Sequence, residues 1–341
     1  MKIKIDKNSI SKILIIKLRG IGDVVLSTII FDSLRKEFPT AEIDYLTEKP
    51  SDQILNNFSF INNVLVLDRK STANRIKTAN IIRRSNYDLV LDLFSNPTTA
   101  QLTFYSGARY RAGFPYKGRK YAYNLFGPSE RGKFHAANLH IEFIKEIGLN
   151  IANNRLEYVL NKSDISFANN YLNQLNLSGS SLVGLSPSGG WESKRCTPEK
   201  FAEIADKVIE KFDSDLILLW GPEDKTDVDK IVKLMKNEVI CAPPTTINQM
   251  AAFISKCDLF IANDSGPMHI STAVGTPTLS IHGPTSPLLQ GPYGIKHEWV
   301  RLDELECIEC NLLKCPKKLE CFTELPVERI LDKVKILYNK D

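Results

Sequence analysis

Short apolar runs alternate with helical patterns along most of this chain, and this alternation constrains its fold more than any other feature. In the first half the predicted strands are residues 13–16, 42–46, 64–67 and 87–93. In the second half they are residues 182–185, 216–220, 239–241, 259–262 and 278–281. Strands that alternate with helices form parallel sheets covered on both faces. A polar break at residues 176–181 separates the halves, so we predict two doubly wound α/β domains.

Two helices are predicted with defined bounds. One covers residues 24–38, directly after the first strand and its loop. The other is an amphipathic helix over residues 327–338, near the end of the chain.

Composition places the chain among water-soluble globular proteins. Of its 341 residues, 43% are hydrophobic and 25% are charged, and the net charge of +4 is mild. The apolar runs are too short to span a bilayer, and the first residues lack the apolar core of a signal peptide. We therefore expect a cytoplasmic protein.

The run N-D-S-G-P-M-H, residues 263–269, joins the strand at 259–262 to a helical pattern. A helix that starts there offers free backbone N–H groups beside the Asp264 carboxylate and the Ser265 hydroxyl, which suits a phosphate and a sugar. An ordinary helix cap followed by a turn is the alternative. The next strand also ends in a polar loop, H-G-P-T-S-P, and ligands gather at the carboxyl ends of parallel strands.

The stretch 264–294, with D-S-G-P-M-H, V-G-T-P, H-G-P-T-S-P and G-P-Y-G in this order, resembles glycosyltransferase family 9, the ADP-heptose:lipopolysaccharide heptosyltransferases. Further matching stretches extend from about residue 12 to residue 321. The resemblance implies the GT-B fold, two Rossmann-like domains that face each other across a cleft. We assign residues 1–175 to an acceptor domain, 176–322 to a nucleotide-sugar domain and 323–341 to a helix that packs back on the first domain.

The segment K-L-R-G-I-G-D, residues 17–23, follows the first strand. A dinucleotide-binding loop would have a third glycine where this chain has Val25, which disfavours an NAD enzyme. The resemblance implies that Asp23 is the catalytic base, and the start of a helix would keep its carboxylate ionised. A plain helix cap is the alternative. Lys17 and Gly22 are assigned to acceptor binding.

The segment S-P-S-G-G-W-E-S-K-R, residues 186–195, again follows a strand. The resemblance implies that Lys194 meets the donor diphosphate and that Ser188 lines the same loop. The other residues that we assign to donor binding are Glu223, Asp264, Ser265, Gly266, Met268 and His269.

The strand at 216–220 ends in G-P-E-D, where either Glu223 or Asp224 would bind the ribose hydroxyls. A surface turn is the alternative there. The D-S-D at 213–215 precedes this strand, at the edge away from the ligand, and is interpreted as a turn. Without a carboxylate pair at the cleft, we expect a transfer that requires no metal.

Seven cations and interleaved aromatic residues occupy residues 109–133, against the single acid Glu130. The cations are Arg109, Arg111, Lys117, Arg119, Lys120, Arg131 and Lys133. Such a segment would hold an anionic partner, and a solvated loop is the alternative. We assign Arg109, Arg119 and Lys120 to an anionic glycolipid or glycan acceptor, with contact to the inner membrane surface and no nucleic-acid partner. His135 and His140, which follow, are interpreted as surface or capping residues, and side chains that face the acceptor are the alternative.

Four cysteines, Cys307, Cys310, Cys315 and Cys321, lie within fifteen positions. The C-x-x-C opening and two further thiols would ligate a structural zinc, and neighbouring lysines would favour the thiolates. Ordinary packing of the cysteines is the alternative. No cofactor is expected for catalysis itself.

The residues and the resemblance together predict an inverting glycosyltransferase that moves a sugar, heptose by analogy, from a nucleotide diphosphate to a lipopolysaccharide-core or related acceptor. A non-catalytic protein that binds nucleotides or anionic glycans on the same fold is the alternative. The identities of the donor sugar and the acceptor do not follow from the residues.

Overall fold

A computed structural model describes residues 3–339 and divides the chain into two compact units, the first ending at Val159 and the second beginning at Leu160. The strands of the first unit are β1 (Lys12–Ile16), β2 (Glu42–Thr47), β3 (Ile61–Val66), β4 (Leu89–Asp92), β5 (Tyr110–Gly113) and β6 (Leu125–Phe126). Its helices are α1 (Ile21–Ser27), α2 (Phe31–Glu37), α3 (Asp52–Leu55), α4 (Thr72–Arg84), α5 (Pro97–Ser106) and α6 (Ala136–Glu146).

The second unit repeats this alternation. Its strands are β7 (Ser181–Ser186), β8 (Ser214–Leu218), β9 (Ile240–Cys241), β10 (Leu259–Asn263), β11 (Thr278–Ile281) and β12 (Glu298–Val300). Its helices are α7 (Lys162–Leu172), α8 (Pro198–Phe212), α9 (Lys225–Leu234), α10 (Ile247–Ile254), α11 (Gly266–Val274), α12 (Pro287–Gln290), α13 (Glu320–Thr323) and α14 (Val327–Tyr338).

Both sheets have the same topology. Over residues 3–339 the strand orders are β3-β2-β1-β4-β5-β6 and β12-β11-β10-β7-β8-β9, and all pairings are parallel. The order reverses between β1 and β4 in the first sheet and between β7 and β10 in the second. Adjacent loops leave in opposite directions at such a point and open a crevice at the carboxyl ends of the strands. The predicted pair of doubly wound domains is confirmed.

The helix predicted over residues 24–38 is interrupted. A 3₁₀ turn, Thr28–Ile30, separates α1 from α2. Ser27 Oγ donates to the Val24 carbonyl and Thr28 Oγ1 to the Val25 carbonyl, both at 2.7 Å. Such bonds from hydroxyl side chains back to the preceding turn bend helices, which accounts for the break.

The boundary predicted at residues 175/176 is corrected to 159/160, because α7 belongs to the second unit. The rings of Phe167 and Tyr171 on α7 pack against Phe253 on α10 with centroids 6.0 Å and 5.6 Å apart. Tyr171 Oη also donates to the Cys241 carbonyl at 2.9 Å. The polar break at 176–181 is therefore a loop inside the second unit.

The last helix, α14, has the predicted bounds, Val327–Tyr338, but the expectation that it packs on the first domain is corrected. Its buried side chains, including Ile330 and Val334, lie in one hydrophobic core with Phe201 and Val183 of the second unit. An amphipathic pattern requires an apolar surface to cover but does not specify which one. Of the assigned segment 323–341, residues 340 and 341 lie outside the described residues.

A helix that spans a membrane must be long and predominantly apolar. Among the described residues, no helix is long and apolar enough to cross a membrane.

Candidate active site

In the second unit, the loops after β7 and β10 meet at the switch point. Lys194, in a 3₁₀ turn after β7, places its Nζ 2.6 Å from Asp264 Oδ2, directly after β10. Both residues are buried, at 7% and 5% exposure. Lys194 Nζ also lies 4.1 Å from the Trp191 ring centroid and donates to Gln290 Oε1 at 3.3 Å. A buried ammonium group is thus held at the carboxyl edge of the sheet.

Asp264 is held in its ionised form. Burial alone would raise its pKa, but the charge of Lys194 is the largest of the opposing effects, which together lower the pKa below the ordinary value. Thr285 Oγ1 donates to Asp264 Oδ2 at 2.6 Å. Burial lowers the pKa of His282 to about 4, against the opposing effect of Asp264, so this imidazole is neutral near pH 7.

Helix α11 begins beside this pair with unsatisfied donors. Ser265 occupies its N-cap position but makes no side-chain capping bond, and its buried Oγ has no hydrogen-bond partner among residues 3–339. The first N–H groups of a helix have no partners within the helix and carry positive charge. Lys194, Ser265 and the start of α11 at Gly266 therefore form one buried concentration of donors.

The remaining predicted donor residues have different environments. His269 is buried in the first turns of α11 at 6% exposure. Met268 is fully buried at 0% exposure, so its prediction as a ligand contact is corrected to a packing role for the side chain. The Ser188 side chain points toward Asp224, since its Oγ donates to Asp224 Oδ2.

Glu223 and Asp224, the two candidates for the ribose contact, differ in burial. Asp224 is 4% exposed, and besides Ser188 it accepts from the Gly221 N–H at 2.9 Å and pairs with Arg195 Nη1 at 2.9 Å. Glu223 is exposed, so its carboxylate is the accessible one. The contacts of Asp224 with Ser188, Arg195 and Gly221 connect the loop after β7 to the loop after β8.

Sequence reasoning missed Asn263, the last residue of β10. Its amide Nδ2 donates to the carbonyls of Pro187 and Ser188 at 3.0 Å and 3.2 Å, and its Oδ1 accepts from the Cys196 N–H at 3.2 Å. A fully buried asparagine thus fixes the lysine-bearing loop against the strand that leads to α11. Its position within the N-D-S-G run was the only sequence signal.

In the first unit, the loop after β1 carries Lys17 and leads to Asp23 in the first turn of α1. Lys17 Nζ lies 3.0 Å from Asp23 Oδ1, with the lysine side chain 2% exposed and that of aspartate 46% exposed. The Phe94 ring, after the neighbouring strand β4, lies 5.8 Å from Lys17 Nζ. The carboxylate is therefore accessible from one side and oriented by a buried cation from the other. Gly22, between them, is a buried residue of α1.

Two residues outside the predicted set complete the surroundings of Asp23. Desolvation of the Arg131 guanidinium against Phe114 and Tyr116 lowers its pKa, and the charge of Asp23 acts in the opposite direction. His140 on α6 is 2% exposed, and its Nδ1 has no hydrogen-bond partner in the part of the chain that the structure describes. Burial, then Lys17 and Arg131, hold its pKa well below the ordinary value.

The basic segment is divided between the two edges of the first sheet. Arg119 lies near the carboxyl edge, where its Nη1 donates to the Ser95 carbonyl at 2.9 Å in the loop after β4. Lys120 is the exposed neighbour of Arg119. Arg109 directly precedes β5, at the opposite, amino-terminal edge of the sheet, so its grouping with the acceptor residues is corrected. Sequence proximity did not show that β5 separates these cations.

The two histidines of the neighbouring segment also differ. His135 caps α6, as its Nδ1 accepts from the Ala137 N–H at 3.1 Å, which confirms the capping interpretation. His140, by contrast, is buried and is not a surface residue.

The four cysteines converge on one place. Cys307, Cys310, Cys315 and Cys321 line a cavity of about 20 Å³, together with Ser193 and Gly283. Cys315 Sγ accepts from the N–H groups of Lys317 and Leu319 at 3.4 Å. Within residues 3–339, however, no group of three or more cysteine, histidine or acidic side chains is already arranged to hold a metal ion.

Two doubly wound units, each with charged residues at its switch point, define a protein of the GT-B class. The sequence profile of glycosyltransferase family 9 (heptosyltransferase) matches residues 75–320, well over half of the chain. The chain therefore belongs to glycosyltransferase family 9.

Individual proteins agree with this assignment. The chain is 33% identical over 166 residues to lipooligosaccharide heptosyltransferase 2 of Campylobacter jejuni, a match that covers 47% of the chain and 52%, about half, of that relative. A family 9 glycosyltransferase from Veillonella parvula has the same fold, with a TM-score of 0.85 at 23% identity over 100% and 99% of the two chains. ADP-heptose lipopolysaccharide heptosyltransferase II of Escherichia coli superposes with a TM-score of 0.75 at 20% identity, over 96% and 98%.

Proposed function

We propose that this protein is an inverting glycosyltransferase that transfers heptose from ADP-heptose to a lipopolysaccharide-core acceptor. Family membership supports the reaction class, and the names of the relatives support the donor and the acceptor. The observation that carries the proposal is the buried ammonium of Lys194 beside the open start of α11. That arrangement suits a diphosphate, which is the leaving group of such a donor.

The donor diphosphate would lie at the start of α11. The N–H groups of the first turn, the Ser265 hydroxyl and Lys194 would accept its negative charge, and this charge increases as the sugar departs. The exposed Glu223 would accept hydrogen bonds from the two ribose hydroxyls. Asp264 would hold Lys194 in position through the 2.6 Å ion pair. These groups supply the positive charge themselves, so the proposed transfer needs no metal.

Asp23 would act as the general base. It removes the proton of an acceptor hydroxyl, and that oxygen forms a bond to the anomeric carbon. The bond from this carbon to the diphosphate oxygen breaks, and ADP leaves with the electron pair. Attack opposite to the leaving group inverts the anomeric configuration, through an oxocarbenium-like transition state. The 3.0 Å contact with Lys17 supports this role by orienting the carboxylate.

Anionic groups of the acceptor would be met in the first unit. Arg131 and Arg119, with Lys120 beside them, form a cationic group near the carboxyl edge that carries Asp23. A phosphate or carboxylate of a core glycan would pair with such guanidinium groups. Because this acceptor is lipid-linked, we place the reaction at the inner face of the cytoplasmic membrane.

The test is release of ADP from ADP-heptose in the presence of a core acceptor, with the anomeric configuration of the product read by NMR. We expect release that depends on both substrates, an inverted product, and an unchanged rate in EDTA. ADP release without an acceptor, or a retained configuration, would contradict the mechanism. Donor binding without any transfer would favour the non-catalytic alternative.

We also propose that the four cysteines hold a structural zinc ion. Thiolates suit this ion, and the four cysteines line a cavity large enough for about one water molecule. Binding would require the side chains to turn toward each other, since no ligand group is preformed in the described residues. Protein purified without chelators should contain close to one zinc per chain, and Cys310→Ser with Cys315→Ser should lose it. If the wild-type protein contains no zinc and melts at the same temperature with and without a chelator, ordinary packing explains the four cysteines.

A further inference from the structure

One face of the first unit combines exposed apolar side chains with unopposed positive charge. It is formed by α4, α5 and the 3₁₀ turn Lys120–Ala122, and we call it the α4–α5 surface. Ile82 on α4 and Leu102 on α5 pack in one core cluster with Leu14 of β1 and Val90 of β4. Both helices therefore cover the same side of the sheet and direct their other faces outward.

The outward face of α4 is set by helical spacing. Thr78 and Ile82 are the buried residues of this helix, so positions on its opposite side point to solvent. Ile76 lies there and is 58% exposed. Lys77 follows it directly, Arg84 lies about two turns further along the helix, and both are exposed.

The aromatic side chains of α5 and of the turn continue this surface. Phe104 is 55% and Tyr121 54% exposed, and their rings contact each other edge to face with centroids 5.6 Å apart. Tyr105 is 48% exposed and its Oη donates to Asn80 Oδ1 on α4 at 3.5 Å. Arg83 Nη1 donates to the Ser106 carbonyl at 3.3 Å, which joins the two helices. These contacts make the surface continuous.

The charge of this part of the chain is strongly one-sided. Helices α4 and α5 and the 3₁₀ turn contain five cations, Arg75, Lys77, Arg83, Arg84 and Lys120, and no acid, and the acids between α4 and the turn are Asp88 and Asp92. Asp92 is fully buried, and Asp88 accepts hydrogen bonds from Ser11 and Lys12 at the edge where β1 begins. Neither acid therefore opposes the cations of the α4–α5 surface.

We propose that the α4–α5 surface docks on an anionic lipid bilayer. Cations attract acidic head groups, while Phe104, Tyr105, Tyr121 and Ile76 enter the boundary between head groups and acyl chains. An exposed aliphatic side chain such as Ile76 gains from this insertion but offers no stacking surface to a nucleic-acid base. The inference extends the proposed function, whose lipid-linked acceptor lies in a membrane, by naming the surface that meets that membrane.

The test is flotation with vesicles of phosphatidylethanolamine containing about one third phosphatidylglycerol, compared with pure phosphatidylcholine, in the absence of substrates. Wild-type protein should bind the anionic vesicles, and binding should weaken as salt rises, because exposed charges are screened over about 8 Å at physiological ionic strength. Lys77→Glu with Arg84→Glu should weaken binding about tenfold or more. Phe104→Ser with Tyr121→Ser should weaken it as well.

Matched controls lie on α9 of the second unit, where Lys230, Val232, Lys233 and Leu234 are exposed. The pairs Lys230→Glu with Lys233→Glu and Val232→Ser with Leu234→Ser should leave vesicle binding unchanged. Transfer to a delipidated, soluble acceptor should be the same in all four pairs of variants, which separates this inference from the proposed function.

Three outcomes would overturn the proposal. The first is wild-type protein that does not bind anionic vesicles. The second is an equal loss of binding in the α9 controls. The third is retention on duplex DNA, lost in the α4 variants, without vesicle binding, which would make nucleic acid the partner of this surface.

Discussion

At the scale of single residues, Asp23 is the position on which the proposed chemistry depends. Asp23→Asn should lower turnover by roughly a hundredfold or more, because the amide cannot accept the proton of the acceptor hydroxyl. Affinity for ADP, measured by calorimetry, should stay unchanged. The asparagine keeps an oxygen for Lys17, so the melting temperature should change little, unlike that of Asp23→Ala, which strands a buried cation.

Asp52→Asn, in the first turn of α3, is the matched control for this substitution. It should behave like the wild type in every measurement. Normal turnover of Asp23→Asn would show that another group removes the proton.

The proposed mechanism gives Lys194 a role toward the donor, separate from its observed ion pair with Asp264. Lys194→Met should lower turnover by about a hundredfold or more and weaken ADP binding, since the diphosphate loses its cation. It should also lower the melting temperature, because Asp264 is left buried and unpaired. Adding Asp264→Asn should restore the melting temperature without restoring transfer.

Lys207→Met, on the exposed side of α8, is the control for loss of a lysine charge. If the double variant regained transfer together with stability, Lys194 would be a structural residue only.

At the scale of elements, β5 separates the cations of the basic segment. Arg131→Ala should raise the KM for the acceptor and reduce its salt dependence, because this guanidinium lies near Asp23. Arg109→Ala is the matched control, since Arg109 lies at the other edge of the same sheet. Steady-state kinetics at two salt concentrations check this, with the KM for ADP-heptose expected to stay constant in both. Equal changes of the acceptor KM in Arg131→Ala and Arg109→Ala would contradict the separation of these cations by β5.

Within a single helix or strand, hydrophobic periodicity in the sequence predicts where the element lies. The bounds of α14 were predicted correctly because spacing along one helix determines its apolar face. The break between α1 and α2 was not predicted, because it depends on which carbonyl the Ser27 and Thr28 hydroxyls contact. Helical periodicity continues through such a bend.

At the scale of the whole molecule, two buried neutral histidines couple folding to pH. The pKa of His282 is lowered to about 4 and that of His140 well below its ordinary value, both by burial. Between the folded and unfolded pKa values the unfolded chain binds more protons, so stability falls as pH decreases through this range. For His282 alone the loss is roughly 2 kcal/mol near pH 5.

Thermal denaturation near pH 7 and pH 5 tests this coupling. The wild type should melt at a lower temperature at the acidic value, and His282→Gln should show a smaller difference, because its amide does not titrate. Asp264 stays ionised across this range because its pKa is lowered, so it does not contribute to the change of stability with pH. An identical pH dependence in the two proteins would show that His282 does not titrate as described.

The alternation of strands and helices, the two doubly wound sheets, and the segments that carry Asp23, Lys194 and the start of α11 all follow from sequence patterns. These features depend on spacing and on turn residues within short segments, so they can be read locally. The pairing of Asp264 with Lys194, the burial of His140 near Lys17, and the position of Arg109 at the far edge of its sheet required the folded structure. It also decided which unit α7 and α14 belong to. The physical reason is that burial, charge pairing and helix packing depend on distances between segments remote in sequence, and packing alone sets those distances.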